Sequence, residues 1–187
     1  CDTEVNFLGD MLALVVADTE AHARAAAKLA RVEYEPLPGV FEIEDSYALG
    51  GRQIIRTIDF SSGDLAAAEK TPGLQTFEGD YYFERQEHAY IEPECAIGEY
   101  DESTGVVRVT TCTQSPFEIQ NMLAPILDLP AERVRVTGAP IGGGFGGKCD
   151  SYVEPHAAIA AFTLRRKVQI PLTRRESLIL STKRHRY

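Results

Sequence analysis

Residues Gly142-Gly143-Gly144-Phe145-Gly146-Gly147-Lys148-Cys149 place five glycines in six positions, followed by a cation and a thiol. Ordering so many glycines costs backbone entropy, and close approach of the backbone to a ligand is the commonest reason for it. A tight strand-to-helix connection usually needs only one. Three chemistries use such a loop. As G-x-x-x-x-G-K it resembles a phosphate grip, but Cys149 stands where Ser or Thr would bind Mg²⁺, and a soft thiol is the wrong ligand for a hard ion. As G-x-G-x-x-G (Gly142, Gly144, Gly147) it resembles a dinucleotide turn. Asp150 to Val153 then delay the helix, and the next strand-like run, 167–172, holds no acid for a ribose. As a cradle, the loop would present backbone N–H groups to an oxo group or a phosphate, with Phe145 keeping water away. A nucleotide- or phosphate-binding module using the 142–148 loop remains the alternative to the cradle.

Few other residues offer chemistry. Gln114 is a neutral amide in a Thr-Gln-Ser-Pro turn, able to donate a hydrogen bond without adding charge. His88 and Glu92 lie four residues apart and are expected to form a structural hydrogen-bonded pair, because no nucleophile accompanies them. His22 and His156 fall on expected helices and read as packing or surface residues. Cys1, Cys95, Cys112 and Cys149 have no zinc or iron-sulfur spacing and make no disulfide framework, so reduced thiols and a cytoplasmic setting are expected.

The elements that must position these residues follow from pattern. Met11 to Val16 is expected as a buried strand. Ala21 to Ala30 is a helix behind an Asp18 or Thr19 cap, and Val32 to Tyr34 a further strand. Residues 39–75 are rich in Gly and Ser and read as a linker, with one short helix within Asp64 to Lys70. Strands are expected at Thr76 to Phe83, Cys95 to Tyr100 and Val106 to Thr111, the last two joined by an Asp-Glu-Ser-Thr-Gly turn. A helix starting near Pro116 carries Ile119, Met122, Leu123 and Ile126 on one face. A strand at Arg133 to Val136, the glycine loop, an alanine-rich helix at Glu154 to Leu164 and a strand at Val168 to Leu172 complete the pattern. This mixture predicts an α+β fold.

Composition bounds the partners. The 187 residues carry a net charge of −9, yet 165–187 hold eight basic residues and one acid, a net of +7, which leaves −16 elsewhere. The basic end is a solvated face or a contact for an anion or a subunit. Nucleic acid is not an expected partner, because the balance is acidic and no aromatics interleave the basic run. The apolar run Met11 to Ala17 is too short to span a bilayer, so no membrane is expected either. The first residue, Cys1, leads us to expect an excised piece of something longer.

Several ordered motifs together resemble the xanthine dehydrogenase/aldehyde oxidase family of molybdenum hydroxylases, in its large molybdopterin-binding subunit. They are Thr113-Gln114-Ser115-Pro116, Leu129 to Val136, the loop Gly142 to Lys148, His88-Ala89-Tyr90-Ile91-Glu92-Pro93 and Lys183-Arg184-His185. Ala13 to Glu20, with Val32 to Pro38, is similar to the end of the α/β hammerhead domain that precedes the molybdenum domain in this family. The resemblance implies residues 1–38 as the C-terminal part of a hammerhead-like domain, 39–75 as an extended arm, and 76–187 as the N-terminal part of a molybdopterin-binding domain. It implies a molybdenum-pterin cofactor held by its pterin, and iron-sulfur clusters and FAD on partner domains or subunits. The implied reaction oxidises a small molecule, an N-heterocycle (purine-like) or an aldehyde, with oxygen derived from water. Gln114, Gly142, Gly143, Gly144, Phe145, Gly146 and Gly147 would then hold the cofactor, with Gln114, Phe145 and Cys149 beside the reaction. Where family members often carry a glutamate, this chain has Cys149, which argues against xanthine itself as substrate. The catalytic glutamate of the family lies further on, so the isolated piece is expected to be inactive.

Overall fold

A computed structural model describes residues 4–50 and 59–187. The chain divides into two compact units, Cys1–Leu29 with Tyr81–Tyr187, and Ala30–Asp80. The larger unit is built on a four-stranded sheet of order β3-β2-β1-β4, with β1 at Cys95–Asp101, β2 at Val106–Thr111, β3 at Val134–Gly138 and β4 at Val168–Pro171. β1 pairs antiparallel with both β2 and β4, while β2 and β3 run parallel. The expected α+β architecture holds.

The β1–β2 hairpin forms where turn chemistry and β-branched runs coincide. Asp101 Oδ1 accepts from Ser103 N–H at 3.0 Å, and Gly105, at φ +67°, donates its N–H to the Asp101 carbonyl at 2.7 Å. Alternation along β2 buries Val107, Val109 and Thr111 on one face. Helix α4, Pro116–Ile126, crosses from β2 to β3 with Pro at its first turn and Ile119, Leu123 and Ala124 buried. Gln120 Nε2 donates to the carbonyls of Ala131 and Val134 at 3.0 and 2.7 Å, which ties the helix to edge strand β3. Each fully buried Val, Leu or Ile here contributes about 1.5–3 kcal/mol of burial.

Helix α5, Glu154–Leu164, joins β3 to β4 and lies on the same core. Its buried face is made of Ala157, Ala158, Ala160 and Ala161. Such small side chains let the helix backbone approach the sheet closely. At Gly98 of β1, an added Cβ would lie 2.2 Å from the Ala157 carbonyl oxygen and 3.1 Å from Ala161 Cβ. The buried Glu154 fixes the start of this helix. Its Oε2 accepts from Tyr152 N–H at 2.9 Å, and its Oε1 lies 2.6 Å from the Thr111 hydroxyl.

Helix α1, Glu20–Ala27, starts at Thr19, whose hydroxyl accepts from His22 N–H at 3.1 Å. The other helices are short: α2 at Ile43–Ala48, α3 at Leu65–Glu69 behind Asp64, and α6 at Arg174–Leu180. Neither α2 nor α6 was expected from the sequence, although Thr173-x-x-Glu176 is the signature of a capping box. Both halves of that box form, Glu176 N–H to Thr173 Oγ1 at 3.2 Å and Thr173 N–H to Glu176 Oε2 at 2.7 Å. Three expected strands are absent. Met11 to Val16, Val32 to Tyr34 and Thr76 to Phe83 have no regular secondary structure and mostly exposed side chains. Their residue types suit strands, but a strand also requires a hydrogen-bonded neighbour, and no ladder partner for them occurs among the described residues.

Two outcomes test this packing. Gly98→Ala forces α5 away from β1 and should lower stability by about 1–3 kcal/mol in chemical denaturation, with Gly98→Val costing more. The second concerns Glu176, whose carboxylate receives Arg24 at 2.8 Å, which holds its pKa at about 2. Its contribution is therefore fully present above the ordinary carboxylate value of 4.5 and is lost as pH falls through about 2. Arg24→Ala should flatten that acid limb in a pH titration of stability; an unchanged limb would assign it to other groups.

Candidate functional site

The sheet topology carries the candidate residues to one end. The chain enters β1 from residues 88–94, leaves β2 into 112–115, and leaves β3 into the glycine loop. With β1 antiparallel to β2 and β3 parallel to it, these three segments share an end of the sheet. The end of β4, paired at Pro171 with Cys95, delivers α6 to the same place.

Within the loop two residues have positive φ, Phe145 at +51° and Gly146 at +90°. Gly147 N–H donates to the Gly144 carbonyl at 2.8 Å and Cys149 N–H to the Gly146 carbonyl at 3.2 Å, so the loop is folded back on itself. Space for a Cβ at Gly146 is open, but its φ disfavours any L side chain. At Gly144 a Cβ would lie 2.3 Å from Gln114 Oε1. That oxygen accepts from Gly146 N–H at 3.1 Å, while Gln114 N–H donates to the Lys148 carbonyl at 2.8 Å. The amide group of the exposed Gln114 side chain therefore turns its carbonyl toward the loop, which leaves its NH₂ as a donor. Phe145 stands out from the loop at 75% exposure, its ring edge near Gly143, so it does not make the expected water shield over the glycine backbone.

Beneath the loop lies a charged layer. Lys148 is 1% exposed, its Nζ 2.6 Å from Glu92 Oε1 and 4.4 Å from the centre of the Tyr90 ring. The same Glu92 oxygen accepts from Gly142 N–H at 2.6 Å. The Lys148 hydrogen bond holds the Glu92 carboxyl below the usual carboxylate range. Burial, and then the hydrogen bond to Glu94, push the Tyr90 phenol well above its ordinary value. His88 packs against Gly147, and its Nδ1 is buried without a hydrogen-bond partner. Arg174 of α6 braces the 88–94 segment, donating to the carbonyls of Tyr90 and Ile91 at 2.5 and 2.7 Å.

The structure thus brings Gln114, Gly142, Gly143, Gly144, Phe145, Gly146 and Gly147 together, with Cys149 next in the chain as a half-buried free thiol. It does not make the expected His88–Glu92 pair. Ala89, at φ +50°, turns the chain between them, and Glu92 goes to Lys148 and Gly142 instead. Sequence reasoning noticed Glu92 and Lys148 separately and missed their partnership, which spans 56 residues and leaves no local signal. The basic C-terminal segment is largely engaged within the chain: Arg174 with the Tyr90 and Ile91 carbonyls, Lys183 with Glu87 at 2.5 Å, and Lys167 with Glu99 at 3.1 Å. A buried Lys148 already paired to a carboxylate is a poor grip for a nucleotide phosphate, which argues against the phosphate-loop alternative.

The loop is an uncharged glycine segment with the Gln114 amide at its rim. Residues 49–187 match the family described as "Molybdopterin cofactor-binding domain", and residues 1–38 match "Aldehyde oxidase and xanthine dehydrogenase, a/b hammerhead domain". The chain belongs to the molybdopterin cofactor-binding domain family. The fold is accordingly the end of a hammerhead domain followed by a molybdenum-cofactor-binding domain. Among relatives of this family, the chain is 34% identical to a probable xanthine dehydrogenase component from Bacillus subtilis, over 99% of this chain and 25% of that protein. It is 35% identical to the nicotinate dehydrogenase large molybdopterin subunit of Eubacterium barkeri, over 98% and 44%. The chain thus spans a quarter to less than half the length of these relatives. Among solved molybdopterin-family structures, the aldehyde oxidoreductase of Desulfovibrio gigas is similar at 26% identity and a TM-score of 0.77, covering 90% of this chain and 19% of that one. Quinoline 2-oxidoreductase from Pseudomonas putida 86 is similar at 26% and 0.72, covering 89% and 22%.

Among the described residues, no helix is long and apolar enough to cross a membrane. The site itself yields a direct test. Gln114→Ala removes the acceptor of the Gly146 N–H, and exchange of that amide should accelerate by about tenfold while β1 and β2 amides keep their protection. Unchanged exchange at Gly146 would mean that Gln114 does not order the loop.

Proposed function

We propose that this chain is part of the large subunit of a molybdenum-pterin hydroxylase, in which the glycine loop and Gln114 cradle the cofactor. The observation that carries the reading is the Gln114–Gly146 contact: a side-chain amide holding a positive-φ glycine, with its own donor left over, in a chain of the molybdopterin family. When bound, the molybdenum-pterin group supplies two-electron oxidation with oxygen drawn from water. The chain's residues do the rest. Gly142, Gly143, Gly144, Gly146 and Gly147 let backbone come close to the group without side chains in the way. Gln114 donates from an uncharged amide, so the local charge balance of the group is undisturbed. Phe145, exposed on the loop, offers an apolar surface beside the bound group. The buried orphan Nδ1 of His88 behind Gly147 adds one polar atom with capacity for a further bond.

The proposed substrate is an N-heterocycle (purine-like) or an aldehyde. Cys149 would stand beside it where family members often carry a carboxylate, and a half-buried free cysteine favours a substrate that asks for no carboxylate there. Residues 1–38 serve as the end of the hammerhead-like domain, 39–75 as the connecting arm, and 76–187 as the first part of the cofactor domain. Iron-sulfur clusters and FAD reside on partner domains or subunits, the setting is cytoplasmic, and the fragment alone is inactive.

The test is the molybdenum and pterin content of the full-length parent, purified without oxygen together with its companion subunits. About one of each per large chain is expected. Gly146→Val places a β-branched side chain at a φ it disfavours and should lower both by about tenfold. Parent protein free of both, from a host able to make the cofactor, would remove the hydroxylase reading.

A further inference from the structure

We infer that Glu92 and Lys148 act as a positioning clamp that holds both ends of the glycine loop, so that Gly142 to Gly147 meets the cofactor already shaped. The inference rests on the proposal that this loop receives the molybdenum-pterin group. Neither residue touches that group through its side chain; each acts through the loop.

The geometry is that of a staple. One oxygen, Glu92 Oε1, lies 2.6 Å from the Gly142 nitrogen and 2.6 Å from Lys148 Nζ. Gly142 opens the loop and Lys148 ends it, so a single atom joins the two ends. Both ends are also pressed onto residues 88–92 by the absence of side chains. A Cβ at Gly142 would lie 2.3 Å from Glu92 Oε2, and one at Gly147 would lie 2.8 Å from His88 Nδ1 and 3.0 Å from Tyr90 Cε1. The base of the staple is rigid, because Arg174 holds the Tyr90 and Ile91 carbonyls from the other side and Tyr90 hydrogen-bonds Glu94.

Lys148 also reaches the rim of the cradle. Its carbonyl accepts from Gln114 N–H at 2.8 Å and from the Thr113 hydroxyl at 3.2 Å. One residue therefore sets the loop's start through its ammonium and the placement of Gln114 through its backbone. Stability alone does not explain such a pair. Lys148 is buried while the Glu92 side chain is one-third exposed, so desolvation of the lysine offsets much of what the pair gains, and loss of Glu92 leaves an uncompensated buried charge. What an apolar pair would not supply is an acceptor fixed at the Gly142 N–H.

The experiment uses the full-length parent with its companion subunits, as Glu92→Gln, Lys148→Met and the double variant. The readouts are molybdenum and pterin per chain and hydrogen exchange of amides 142–147, with β1 and β2 amides as the internal reference. In each single variant we expect exchange in the loop to rise by about tenfold and cofactor content to fall by about as much, with the sheet unchanged. If a single variant also loosens the sheet, the double variant decides, since it removes the stranded charge. Intact sheet amides with a loosened, cofactor-poor loop support the clamp. A double variant with wild-type loop exchange and cofactor content overturns it, and so does one whose sheet is loosened as much as its loop. Wild-type parent lacking molybdenum and pterin would instead sink the cofactor reading, a result distinct from loaded variants whose loop is unchanged.

Discussion

The close approach of α5 to β1 and β2 is the constraint on which the rest of this unit depends. It requires alanine on the buried face of the helix and glycine at position 98 of the strand, because the Ala157 carbonyl occupies the space where a side chain would begin. Once the helix is seated, its first turn has one available place, at the end of the sheet where β2 and β3 finish and β1 starts. Buried Glu154 then joins that first turn to Thr111 at the end of β2. The glycine loop, which runs from β3 into α5, has to cross this end. So do residues 88–94 and the Thr113–Gln114 turn.

Charge is arranged around that crossing in two layers. The outer layer is neutral: backbone N–H groups, the Gln114 amide and the Phe145 ring. The inner layer is ionic: Lys148 and Glu92 beneath the loop, Arg174 behind them, and Glu87 with Lys183 nearby. A phosphate loop places its lysine where the ligand sits. Here the lysine faces inward, onto Tyr90 and Glu92. The same residue pattern thus produces two different electrostatic sites, depending on which way one side chain points.

The basic C-terminal segment has a comparable resolution. Its net positive charge in an otherwise acidic chain suits a solvated face or a contact for an anion or a subunit. In the structure, Arg174, Lys183 and Lys167 meet carbonyls or carboxylates of residues 87–99. Charge complementarity between distant parts of one chain accounts for much of the asymmetry. Glu176 of the short helix α6 does the same for Arg24 of α1, and in doing so caps its own helix.

Local chemistry was legible in the sequence wherever a few neighbouring residues settle the outcome. The Asp101–Gly105 turn, Pro116 at the start of α4, and the alanine run of α5 each specify an element through hydrogen bonds and packing within a few residues. The family motifs around Gln114 and the glycines were legible for the same reason. Met11 to Val16 and Thr76 to Phe83 have the residue types of strands, but a strand is completed by a neighbour that propensity does not supply. The partner of Glu92 was equally hidden. The chain alone offered His88 four residues away, and only the tertiary fold, by bringing the far end of the glycine loop over residues 88–92, made Lys148 the nearer and stronger partner.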